Sequence, residues 1–159
     1  MATFNPGTGT LKSTSLEAAA MEAAQILQNA ERASTVDPQP NNIAVNYFTG
    51  DNVVQVRATL PINQSVSASA QAVFVAEDYI GTSFSNGGGD LTSSTLPAAV
   101  LELFQRLQIA EKSASSNPNN ITITYDTETE IATINAEMPV SFTVSSNGSV
   151  SIVAAPYLA

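Results

Sequence analysis

The chain has 159 residues, 43% of them hydrophobic and only 12% charged, a globular composition, since disordered chains pair low hydrophobicity with high charge. Its net charge of −9, with Lys12, Arg32, Arg57, Arg106 and Lys112 as the only cations, leaves too little positive surface for the phosphate contacts of nucleic-acid binding or for an anionic membrane. The absence of Cys and His removes disulfides, thiolate nucleophiles, imidazole bases and most transition-metal sites.

Met1 to Ser15 is polar and carries no basic-then-apolar pattern. No stretch of the chain approaches the roughly 18 apolar residues of a membrane span. The expectation is a cytoplasmic chain forming one domain over 1–159. The first helix is predicted to start near Thr14, where Thr14-x-x-Glu17 has the form of a capping box. Leu16, Ala20, Ala23, Ala24, Leu27 and Ala30 recur at helical spacing and should face the core. Ile43, Val45 and Tyr47 then alternate with polar or small residues, as a half-buried strand requires. The turn Thr49-Gly50-Asp51-Asn52 leads to a second strand with Val54, Val56, Ala58 and Leu60 on one face. That parity continues through Pro61 to Ile62 and Val66, so one long strand bent at an edge or bulge is expected. A soft turn, Ala68-Ser69-Ala70-Gln71, precedes a third strand with Ala72, Phe74 and Ala76. Residues 81–93, with Ser85-Asn86-Gly87-Gly88-Gly89-Asp90, read as a flexible connector.

The elements then recur. A shift of 80 places Leu16, Ala18, Ala19, Glu22, Gln25, Leu27, Gln28, Ala30 and Glu31 on identical residues from Leu96 to Glu111. A shift of 78 places Pro40-Asn41-Asn42-Ile43 on Pro118-Asn119-Asn120-Ile121, Tyr47 on Tyr125, Pro61 on Pro139 and Tyr79 on Tyr157. A second helix is therefore predicted from near Ser94, with Pro97 in its first turn and Leu96, Val100, Leu103, Phe104, Leu107 and Ala110 inward. Strands carrying Ile121, Ile123 and Tyr125, then Ala132, Ile134, Ala136 and Met138, then Val150, Ile152 and Ala154 follow, the last after an Asn147-Gly148 hairpin turn. The fold expected is α+β: a tandem duplication of an αβββ (or αββββ) unit, 14–80 and 94–159, with pseudo-twofold symmetry and an antiparallel sheet packed against two helices.

Chemistry is sparse. Asp126, Glu128 and Glu130 cluster at one turn and could hold calcium, but the first unit has Phe48, Gly50 and Asn52 there, so a solvated acidic turn is the simpler account. The Gly87-Gly88-Gly89-Asp90 run lacks the spacing and lysine of a phosphate cradle. Glu31-Arg32 and Glu111-Lys112 fit helix ends, and Glu22 and Glu102 fit an exposed helix face. Outward strand positions are polar but rarely charged: Thr122, Thr124, Thr133, Asn135, Ser141, Thr143, Ser145 and Ser151. Val73, Val75 and Val153 share that parity, and unpaired apolar edges invite another chain. The expectation is a non-enzymatic, homo-oligomeric assembly or partner-binding protein acting through its sheet face or edges, with no cofactor, metal or catalytic residues. The alternatives are a small-ligand binder with Tyr47 and Tyr125 facing each other between the units, and a carboxylate hydrolase using Asp126, Glu128, Glu130 and Glu137.

Overall fold

The computed structural model describes residues 3–158; Met1 and Ala159, the ends of the expected domain, lie outside the described residues together with Ala2. In chain order the elements are α1 (Leu16–Ala33), β1 (Ile43–Phe48), β2 (Val53–Val66), β3 (Ala72–Ala76), α2 (Leu96–Ser113), β4 (Ile121–Asp126), β5 (Ile131–Val144) and β6 (Val150–Ala154). The architecture is α+β, with both helices against an antiparallel sheet of order β1-β2-β5-β4, extended by β3 on β2 and β6 on β5.

Each helix starts one residue later than predicted. Ser15 caps α1, its hydroxyl accepting from the Ala18 N–H at 3.3 Å, and Thr95 caps α2, accepting from Ala98 at 3.4 Å. Such caps contribute about 1 kcal/mol each. The Thr14–Glu17 capping box does not form, because Glu17 turns inward and is fully buried. Pro97 stands in the first turn of α2, where its missing N–H costs no helical bond.

The helical stripes face the sheet as their spacing requires. Ala19, Ala20, Ala23, Ala24 and Leu27 are fully buried in α1, as are Val100, Leu103, Phe104 and Leu107 in α2. Small side chains on α1 allow α1 and α2 to pack against each other above the sheet, with the bulk of Phe104 supplied from one side only. From below come Val54, Val56, Ala58, Leu60 and Ile62 of β2, and Ala132, Ile134, Ala136, Met138 and Val140 of β5. These are the alternate residues that a pleated strand turns to one side. The opposite face, including Thr122, Asn135 and Ser141, is exposed to solvent.

The two long strands pair with each other from Val53↔Pro139 to Pro61↔Ile131. Because that ladder is antiparallel, the remainder of β2, paired with β3, and the remainder of β5, paired with β6, project from its opposite ends. We call these two hairpins the arms. Proline does not break either strand, and three strands rather than four follow each helix. The Thr59 N–H reaches the Asn42 carbonyl at the start of β1 (3.0 Å), and the Pro61 carbonyl accepts from Glu77 just past β3 (2.8 Å). Pro61 thus faces the junction where β2 exchanges one neighbour for the other, and its missing donor leaves no gap in a ladder. Pro139 does the same, its carbonyl accepting from Ala155 at 2.8 Å.

The glycine-rich connector is held rather than free. Thr8 N–H bonds the Gly87 carbonyl (3.0 Å), Thr10 the Ser85 carbonyl (2.9 Å), and Asp90 the Asn5 carbonyl (2.8 Å). A Cβ on Gly87 would lie 2.1 Å from the Gly9 nitrogen, and one on Gly89 would lie 2.1 Å from the Asn5 oxygen. The glycines permit two backbones to touch, a use opposite to the flexibility that composition suggested.

Candidate assembly surface and buried carboxylates

Among the described residues three carboxylates are buried, Glu17, Glu31 and Glu111, none of them among the acids that the sequence singled out for chemistry. Glu31, near the end of α1, accepts the Ile43 N–H (3.0 Å), the Asn42 N–H (2.9 Å) and the Tyr79 hydroxyl (2.8 Å). Glu111, near the end of α2, accepts from Ile121 (3.0 Å), Asn120 (3.0 Å) and the Tyr157 hydroxyl (2.9 Å). A carboxylate sits badly at the negative end of a helix, so these donors are what make its burial tolerable. Burial and the adjacent Glu31 push the Tyr79 phenol well above the usual tyrosine range, and burial with Glu111 does the same to Tyr157. Both tyrosines therefore stay protonated and donate.

These glutamates belong to a stripe. Gln25, Gln28 and Glu31 lie three residues apart on α1, and they bond in turn the Tyr47 hydroxyl, the Ile43 carbonyl at 3.4 Å and the Ile43 N–H. Gln105, Gln108 and Glu111 repeat this on β4, bonding the Tyr125 hydroxyl at 2.6 Å, the Ile121 carbonyl at 3.3 Å and the Ile121 N–H. By ladder parity, Ile43 and Ile121 direct their backbone polar groups away from the sheet, so each helix supplies partners to the outer edge of β1 or β4. The reading of Glu31 and Glu111 as mere companions of Arg32 and Lys112 at the helix ends is corrected accordingly, since both are buried. The signal was present in the recurrence of these polar residues at a spacing of 80, whereas neighbours such as Asn29 and Ile109 differ between the two helices.

Glu22 and Glu102 are also engaged rather than merely exposed. Glu22 accepts the Lys12 N–H (3.0 Å), the Ser13 N–H (2.9 Å) and the Ser13 hydroxyl (2.6 Å), tying the chain before α1 to its second turn. Glu102 accepts from Thr92, Ser93 and Arg106, the last at 2.9 Å. Burial alone would raise the Glu102 carboxyl, but the Ser93 hydroxyl, the Thr92 and Ser93 amides and Arg106 together hold it below the usual carboxylate range.

Glu17 has no acidic counterpart in α2, where the residue 80 positions on is Pro97. Its Oε2 accepts the Tyr157 N–H at 2.8 Å and the Leu158 N–H at 3.5 Å, which fastens the end of the described chain to the start of α1.

The other expected sites are separated. Asp126 Oδ1 accepts the Glu128 and Thr129 amides (3.0 and 3.2 Å) and closes the β4–β5 turn. The Thr129 amide and hydroxyl, with the Glu128 amide, hold the Asp126 carboxyl below its usual value. Glu128 and Glu130 are exposed beside it, and Glu137 stands on the open sheet face beside Gln55. Among the described residues, no group of three or more Asp or Glu could hold a metal ion. Tyr47 and Tyr125 do not face each other, since β2 and β5 lie between their strands; Tyr125 instead stacks on Phe74 with ring centroids 4.3 Å apart.

The arms differ from the rest of the surface. Residues 61–76 and 139–158 contain no Lys, Arg, Asp or Glu. Val66, Val73, Val75, Val144, Val150 and Val153 are exposed on them. By ladder parity, the outer backbone groups of β3 belong to Ala72, Phe74 and Ala76, and those of β6 to Val150, Ile152 and Ala154. Each arm leans on the helix of the opposite half, β3 on α2 and β6 on α1. No described helix is long and apolar enough to cross a membrane. Comparison with protein-family models, curated proteins and solved structures finds no significant match to this chain.

Proposed function

We propose that this chain is a non-enzymatic assembly protein, made of two copies of one αβββ unit, that associates with further copies of itself through its β-arms. The duplication reading is supported by the pairing of β2 with β5, which is centred on Arg57↔Asn135, positions that correspond under the 78-residue shift. It is supported further upstream, where Phe4, Gly7, Gly9, Leu11 and Ser13 correspond to Phe84, Gly87, Gly89, Leu91 and Ser93. On this reading each unit begins near residues 4 and 84, and the glycine contact lies close to the pseudo-twofold axis.

The observation that carries the assembly reading is the contrast between strand edges. Those of β1 and β4 are partnered at their first residues by helix side chains, whereas those of β3 and β6 carry no charge and no such cover. Soluble proteins ordinarily protect exposed edges with lysine, proline or a covering element. The buried acids favour a structural role, since each accepts backbone N–H groups of its own chain. Sedimentation velocity over a wide concentration range tests the proposal: the weight-average mass is expected to rise with concentration, and a strict monomer throughout would refute it.

A further inference from the structure

The two arms are alike in sequence pattern but unlike in setting. Between the outer edge of β3 and α2 runs an open groove of about 410 Å³, floored by Leu101, rimmed by Val73, Val75 and Ile109, and carrying the Glu102–Arg106 ion pair on its α2 wall. It continues past Thr92–Thr95 into a further depression of about 600 Å³. The corresponding space between β6 and α1 is only about 160 Å³. The chain after β6 is fastened by Glu17 through the Tyr157 and Leu158 amides, a clamp for which the β3 arm has Pro97 and hence no acceptor.

We infer that the β3 edge is the primary contact and that it takes the β3 strand of a second copy, antiparallel, with Val73, Val75 and Ile109 as the apolar surround. This rests on the assembly reading above and selects one arm within it. The choice of occupant follows from charge. Two copies bearing −9 each approach with least repulsion where the surface has no net charge; residues 61–76 carry none, and the charges lining the groove beside them, Glu102 and Arg106, are paired with each other at 2.9 Å. A cationic partner would instead be drawn past the β3 edge to the adjoining depression, which Glu77 and Asp78 line. Antiparallel pairing of one edge with its own copy is self-complementary, as a twofold interface requires. A five-residue edge falls short of the roughly 800 Å² per partner of a standard interface, so the dimer is concentration-dependent.

Proline substitutions separate the arms. Ala72→Pro removes an outward amide without touching the β2–β3 ladder, because Ala72 and Val66 form a non-hydrogen-bonded pair by parity. Val150→Pro does the same on β6. Val73→Lys serves as a second probe that adds charge instead of removing a donor. Sedimentation velocity of the full chain is expected to show a reversible wild-type dimer, association weakened by roughly tenfold or more in Ala72→Pro and Val73→Lys, and an unchanged dimer in Val150→Pro. Thermal melts at low protein concentration establish that each variant is folded. A dimer lost in Val150→Pro, alone or together with Ala72→Pro, would overturn the β3 assignment while leaving self-assembly standing. Wild-type monomer at every concentration would overturn both.

Discussion

Ala70 carries a conformational burden visible in a single torsion. Its φ is 64°, in the left-handed region, and its counterpart in the other arm is Gly148 with φ 84°. A side chain there costs about 1–2 kcal/mol, which the greater unfolded-state freedom of glycine partly offsets. Ala70→Gly is expected to stabilise by about 0.5–1 kcal/mol and to raise the urea midpoint; a lower midpoint would refute strain at this turn. Glu102 sets a pH response at the same scale. Its folded-state carboxyl is held below the ordinary value of 4.5, so the unfolded chain takes up the proton first as pH falls. The stabilisation is complete above that ordinary value and is lost as pH drops through the lower folded value. Glu102→Gln should therefore flatten the acid limb of stability against pH; an unchanged slope below about pH 4.5 would show that its hydrogen bonds do not favour the charged form.

At the scale of elements, the helices differ in what they bring to a shared core. Ala20, Ala23 and Ala24 give α1 a low surface, and their counterparts Val100, Leu103 and Phe104 fill the space from α2. Phe104 is fully buried, and Phe104→Ala is expected to cost about 3–5 kcal/mol in a urea melt. A loss below about 1 kcal/mol would mean that α1 moves in to close the cavity. The helical and strand periodicities made these faces legible. The prolines were legible as special positions, but their location at the exchange of β1 for β3 depends on strand order, which a repeat alone does not specify.

For the whole molecule, the contact between residues 5–10 and 85–90 joins two segments far apart in the chain. Gly87 combines φ 69° with a backbone nitrogen 2.1 Å from where a Cβ would stand, and that nitrogen belongs to Gly9. Gly87→Ala is expected to lower stability by at least about 2 kcal/mol, the left-handed strain and the backbone clash both contributing. Gly50→Ala is the control, since nothing lies within 4 Å of a Cβ there. Equal melting temperatures for the two variants would refute the close approach. The expectation of a loose connector failed because glycine content reports two opposed uses, chain freedom and backbone contact. Only the partner segment distinguishes them, and here it lies about 80 positions away.

The sequence by itself determined which apolar residues of the helices and of the paired parts of β2 and β5 turn inward, where helices and strands lie, and that the elements of the chain recur in one order. These properties are local or periodic, so a single segment carries them in its own pattern. The sequence did not foresee that Val66, Val144 and Val150, on the same parity, are exposed on the arms. Tertiary structure alone decided that Glu31 and Glu111 are buried, that Glu17 fastens Tyr157 and Leu158, and that the edges of β3 and β6 stand open beside the helices of the opposite halves. The reason is physical: a carboxylate is stable inside only if distant parts of the chain bring it N–H and O–H donors. Likewise, an edge is guarded or unguarded only by what the fold lays beside it.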